Sequence, residues 1–120
     1  MPSLKEVRSE VIDAIIEKHV SSKLNWSPRE GEASFEARVG RFVFHIDRKP
    51  VGARVGYKVW IFDDLGNDLD SFDTSALDDV IPKNGGYESY TKAIASIYRQ
   101  VKESQTLDQI LPALSTLRSL

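Results

Sequence analysis

Between residues 63 and 80 the chain carries seven aspartates, Asp63, Asp64, Asp68, Asp70, Asp73, Asp78 and Asp79, and no lysine or arginine. Carboxylates gathered in one short stretch are the ligands that hard cations such as Mg²⁺ or Ca²⁺ take. Asp63, Asp64, Asp68 and Asp70 are therefore the set that metal-dependent phosphoryl or nucleotide chemistry would use. The spacing fits no calcium loop. Counted from Asp68, the sixth position, where an EF-hand requires glycine, is Asp73. Aspartates on turns and edge strands also keep a sheet from pairing with its neighbours, and that solvated role is the expectation here, with no metal and no cofactor.

Two histidines are present, His19 and His45. His45 beside Glu36 or Asp47 has the makings of a general base and its orienting carboxylate, but no serine at a strand-to-helix elbow stands ready as nucleophile. The phosphate-binding, dinucleotide-binding, nucleophile-elbow and zinc-protease motifs are all missing, so the sequence predicts no enzyme. Residues 36 to 60 hold six cations, Arg38, Arg41, Arg48, Lys49, Arg54 and Lys58, against Glu36 and Asp47. With aromatic Phe42, Phe44 and Trp60 interleaved, this basic hairpin is the alternative site, a contact for nucleic acid.

The whole chain of 120 residues has a net charge of −2, so it lacks the long-range attraction that strongly basic proteins offer to DNA or anionic lipid. Without cysteine it has no disulfide framework, thiolate nucleophile or cysteine-ligated metal, which suits a cytoplasmic address. The first residues lack an uninterrupted apolar core, and no stretch approaches the ~20 apolar residues that a bilayer requires.

The elements that position these residues follow from capping signals and periodicity. Ser3-Leu4-Lys5-Glu6 has the form of a capping box, and Leu4, Val7, Val11, Ile12 and Ile15 recur at helical steps, so a helix runs from there to about Val20. Lys23 to Trp26 reads as a short extended piece, followed by turn chemistry in Ser27-Pro28-Arg29-Glu30-Gly31. The period then changes to two. Phe35, Ala37 and Val39 alternate with polar residues, as do Phe42, Phe44 and Ile46 after Gly40-Arg41. A two-residue loop sets Val39 opposite Phe42, Ala37 opposite Phe44 and Phe35 opposite Ile46, which leaves His45 across from Glu36. Arg48 to Gly56 reads as a mobile connection, and Tyr57 to Asp63 as a strong strand. The Asp64-Leu65-Gly66-Asn67 turn leads to a last strand over Asp68 to Asp73, with Ile61 against Leu69, Trp60 against Asp70 and Lys58 against Phe72. A short helical turn around Ser75 to Val80 stops before Pro82 and Gly85-Gly86. Tyr87 to Val101 then forms one helix, and the capping pattern at Thr106-Leu107-Asp108-Gln109 opens another, whose apolar side is Leu107, Ile110, Leu111, Leu114 and Leu117.

On this register one sheet face packs against helices, while the reverse face gathers Val43, His45, Trp60, Phe62 and Phe72, more apolar area than a solvated face carries. Tryptophan and phenylalanine are enriched at interface cores. The expected function is protein–protein interaction or regulation through those five residues, with self-association through this face as one form of it.

Ser22-Lys23-Leu24-Asn25-Trp26 after the first helix, the Asp64-Leu65-Gly66-Asn67 turn, and Ile97-Tyr98 before a leucine-rich end together resemble small uncharacterised bacterial one-domain proteins of the α+β class, over about residues 12 to 118. The resemblance implies an architecture and no activity. The fold expected is a single α+β domain over residues 1 to 120. It has an antiparallel sheet of four to five strands, one N-terminal helix and two C-terminal helices, in the order α-β-β-β-β-α-α.

Overall fold

A computed structural model describes residues 1–28, 34–83 and 86–120. Helix α1 (Leu4–Val20) leads into a five-stranded antiparallel meander, β1 (Trp26–Pro28), β2 (Ser34–Val39), β3 (Phe42–Val51), β4 (Arg54–Asp63) and β5 (Asp68–Asp73). A single 3-10 turn (Thr74–Leu77) precedes α2 (Tyr90–Arg118). The sequence-predicted turn at residues 27–31 lies partly outside the described residues, as does Gly85 of the predicted break after Pro82.

Both helices start on serine. The Ser3 hydroxyl accepts from the Glu6 N–H and the Ser89 hydroxyl from the Lys92 N–H, each satisfying one of the donors a first helical turn leaves open. The β2–β3 hairpin has the expected register, with Val39 opposite Phe42, Ala37 opposite Phe44 and Phe35 opposite Ile46. Gly40 takes φ +60°, which the two-residue loop needs and which other residues enter at a cost.

Three expectations are corrected. Arg48 to Gly56 is no loose connection, because β3 runs to Val51, β4 begins at Arg54, and the hairpin turns on Gly52 at φ +60°. Among the described residues the pairing of β2 with β3 ends at Asp47, so Pro50 lies beyond the central ladder that a proline would interrupt. Second, the β4–β5 register starts as expected, with Phe62 opposite Asp68, and then slips at an irregularity between Ile61 and Phe62, so that Ile61 meets Asp70, Trp60 meets Ser71 and Val59 meets Phe72. One extra residue exchanges the two faces of a strand. Phe72 therefore lies in the core at 5% exposure rather than on the reverse face, and Leu69 stands in solvent at 52%.

Third, the expected pair of C-terminal helices is one, so the order is α-β-β-β-β-β-α. No glycine or proline interrupts Tyr90 to Leu111, and Thr106, read as a cap, spends its hydroxyl on the Lys102 carbonyl one turn back, at 2.9 Å. A capping signal contributes only about 1 kcal/mol and does not break a run of good helix formers. Pro112 stands inside the continuous helix.

The core lies between the helices and one sheet face. Ile12 and Ile16 of α1, together with Tyr90, Ile94, Ile97 and Val101 of α2, pack on Phe35, Ile46, Val59 and Phe72. From Thr106 onward every residue of α2 is exposed. The molecule measures 63 × 34 × 30 Å, and its long dimension reflects a 29-residue helix about 43 Å long that outruns the sheet.

Candidate functional site

Three strands build the reverse face of the sheet. Along β4, Lys58, Trp60 and Phe62 project to the same side. The indole of Trp60 stacks on the Phe62 ring with centroids 5.8 Å apart and planes at 9°, and the Lys58 ammonium lies 4.3 Å from the indole centroid. On β3 the His45 ring is 4.6 Å from the Phe62 ring, and its Nε2 sits 2.9 Å from Glu36 Oε2 on β2. Glu36 and His45 are thus the cross-strand neighbours that the hairpin register predicts. The array is tighter than a solvated face requires. Val43 and His45 are buried, Trp60 and Phe62 are half-buried, and none of the four belongs to the cluster that the helices cover. Ser34 Oγ, Asp47 Oδ1 and Trp60 Nε1 are buried on this face with no hydrogen-bond partner among the described residues.

Of the five residues expected to form an interaction face, Val43, His45, Trp60 and Phe62 come together and Phe72 does not. The alternative basic set is dispersed. Arg38 and Arg41 lie at one end of the β2–β3 hairpin, while Arg48, Lys49 and Arg54 lie at the far end of β3 and the start of β4, roughly 20 Å along the strands. Lys49 is paired with Asp73 at 2.6 Å, and Lys58 is occupied with Trp60.

The aspartates are spent individually. Asp63 accepts from the backbone N–H groups of Leu65 and Asn67 and from the Asn67 amide, which closes the β4–β5 turn and holds its carboxyl below the usual range. Asp79 pairs with Lys5, and Asp78 accepts from Thr91. Among the described residues no three histidine, aspartate or glutamate side chains are grouped to hold a metal ion.

Asp70 ties the sheet to α1. Arg8 Nε donates to Oδ2 at 2.9 Å and Nη2 to Oδ1 at 2.6 Å, while its guanidinium carbon lies 5.0 Å from the Phe72 ring centroid. These bonds hold the Asp70 carboxyl below its ordinary range. A lowered acid contributes stability at pH values above its unfolded pKa and loses it as pH falls through the folded one. Asp70→Asn is accordingly expected to lower stability at pH 7 by about 1 kcal/mol, the part exposure of the pair keeping the figure low. In urea melts the gap to the native protein should close on acidification. A gap that stayed constant down to pH 2 would contradict this account.

The leucine stripe read from the sequence stands in solvent. Leu107, Ile110, Leu111, Leu114 and Leu117 lie along the second half of α2 and are 41% to 66% exposed. This arm is rooted at β1. Gln105 Nε2 donates to the Trp26 carbonyl at 3.2 Å, the Trp26 indole donates to His19 Nδ1, and His19 Nε2 reaches Gln100 Oε1 at 2.8 Å. With Nδ1 accepting from the indole, Nε2 carries the proton in this chain of bonds. Beyond that root every residue of the arm is exposed, and none belongs to the core cluster.

Among the described residues no helix is long and apolar enough to cross a membrane. Compared with protein-family models, with curated proteins and with solved structures, the chain matches none.

Proposed function

We propose that this chain is a protein-interaction module, binding through the leucine face of the α2 arm. The observation that carries the reading is the exposure of five large aliphatic side chains on one projecting helix, beside a body whose own core is closed. Together they present roughly 500 Å² of apolar surface, at the upper end of what a monomeric protein leaves in water. Short helices with no tertiary contact are marginal, and an interior proline costs about 3 kcal/mol more, so a seated partner supplies what the arm lacks.

The test compares immobilised native chain with the double substitution Leu107→Gln and Leu114→Gln in capture from an extract of the source cell. Neither residue belongs to the core, so the variant should keep its melting temperature. Partner retention should depend on the arm. Equal retention by both proteins overturns the reading.

The reverse sheet face supports a second, smaller contact, because the stacked Trp60 and Phe62 form a flat apolar step that neither helix covers. Val43 and His45 lie beneath it as support. The dispersal of Arg38, Arg41, Arg48, Lys49, Arg54 and Lys58 weighs against nucleic-acid binding, which needs cations along one continuous track. The separate employment of Asp63 and Asp70 weighs likewise against metal-dependent phosphoryl chemistry.

A further inference from the structure

We infer that the slot between α1 and the β2–β3 hairpin is a binding site for a small monocarboxylic acid with an aliphatic tail of about eight carbons. The inference does not involve the α2 arm and stands or falls apart from it.

The slot follows from two small residues. Elsewhere along α1, Ile12 and Ile16 pack on Phe35 and Ile46, and large side chains fill the layer between helix and sheet. Beside them α1 offers Ala14 and β2 offers Ala37, and two methyl groups leave a cavity of about 270 Å³ whose remaining walls include Val11, Ile15 and Phe44. Protein interiors leave few voids larger than one water, and an apolar space gives water few bonds to replace those it loses. At about 30 Å³ for each water-sized or methylene-sized group, the slot takes roughly nine.

Its length agrees with its volume. Val11, Ala14, Ile15 and Lys18 face the slot within an arc of about 100° on α1, and the helix advances about 10 Å from Val11 to Lys18. An extended chain of about eight carbons, with bonds of about 1.5 Å, spans the same distance.

Lys18 supplies the polar end. Its stem lines the slot while the side chain remains 49% exposed, which places the charge at the mouth. Among the described residues its ammonium meets only Glu17 Oε1, at 3.9 Å, beyond hydrogen-bonding distance. Glu17 lies about 110° around the axis from the middle of the slot-facing arc, and no acidic residue is among the described residues that line the slot. The carbonyls that end α1 would repel an anion, but they are occupied. The Ser21 N–H donates to the Glu17 carbonyl, the Ser22 N–H to that of His19 and the Lys23 N–H to that of Lys18. A carboxylate at the mouth therefore meets a cation with open donors, while the tail covers the apolar walls.

Octanoate and 1-octanol, equal in chain length and different in charge, separate the two contributions by calorimetric titration. Octanoate should bind with a stoichiometry of one and at about 5 mM raise the melting temperature by about 5 °C. Lys18→Met should weaken octanoate about tenfold and leave 1-octanol unchanged. Ala14→Leu fills the slot from an exposed position and should abolish binding of both without lowering the melting temperature. Failure of octanoate to bind overturns the inference, and equal effects of Lys18→Met on the two ligands overturn the carboxylate contact. Binding that survives Ala14→Leu and is lost in the Leu107→Gln, Leu114→Gln protein places the ligand on the arm and overturns the site. A dimer that Ala14→Leu dissociates would mean that a second copy fills the slot, which also overturns it.

Discussion

Replacing Phe72 by alanine should cost about 3–4 kcal/mol of folding stability, whereas the same change at Phe62, ten residues earlier in the chain, should cost only about 1 kcal/mol. Phe72 is 5% exposed in the core beneath the helices, where its neighbours cannot close over a lost ring, and the Arg8 guanidinium beside it would lose its aromatic contact. Phe62 is half-buried on the reverse face and stacks on Trp60, where solvent can replace part of the ring. Leu69→Asp should be nearly neutral, within about 0.5 kcal/mol. Denaturant midpoints for the three variants read out the β4–β5 register directly. An unslipped pairing would put Leu69 in the core and Phe72 outside it, and would invert the order.

Loss of the Tyr90 hydroxyl is the second large effect. Tyr90 is 1% exposed and donates to Asp13 Oδ2 at 2.9 Å, linking the start of α2 to the middle of α1, while the Lys83 N–H donates to the other carboxylate oxygen at 3.2 Å. Tyr90→Phe withdraws one charge-assisted bond from a buried carboxylate and should cost about 2 kcal/mol. Asp13→Ala leaves two donors short of their acceptor and should cost about 3 kcal/mol. Burial, reinforced by Asp13, pushes the phenol up from 10.0 to about 12. A raised pKa contributes stability that is complete below the unfolded value and disappears as pH rises through the folded one. The native protein should therefore lose roughly 2–3 kcal/mol between pH 10 and pH 12. Tyr90→Phe lacks this group, and its alkaline limb should be shallower. Parallel limbs for the two proteins would show that the phenol titrates as it does in water.

Sequence and structure part at identifiable places. The β2–β3 register was legible because its faces alternate cleanly and a two-residue loop permits one pairing. The same logic placed His45 beside Glu36 before any fold was known. Asp68-Leu69-Asp70-Ser71-Phe72-Asp73 offers no such alternation, since Phe72 would share its face with Asp68 and Asp70, and Leu69 the other with Ser71 and Asp73. The choice fell to long-range partners: Arg8 takes Asp70, and the space beneath the helices takes the Phe72 ring, for which the strand accommodates an extra residue. No signal in the β5 sequence alone records either demand. The 48–56 connection was misread for a related reason. Proline and glycine disfavour central strands, but among the described residues the pairing of β3 with β2 ends at Asp47, before Pro50 and Gly52 are reached.

The sequence by itself determined the start of the first helix, the antiparallel class, the first hairpin and the leucine stripe, because capping, two-residue periodicity and helical periodicity are local properties of the chain. Tertiary structure decided that Phe72 rather than Leu69 of β5 enters the core, that the described residues form five strands and two helices, and that the stripe stands in water. A sheet of fixed width buries only the first part of a straight helix. Where that helix passes the sheet's edge, the same leucines that would have made a core become a surface.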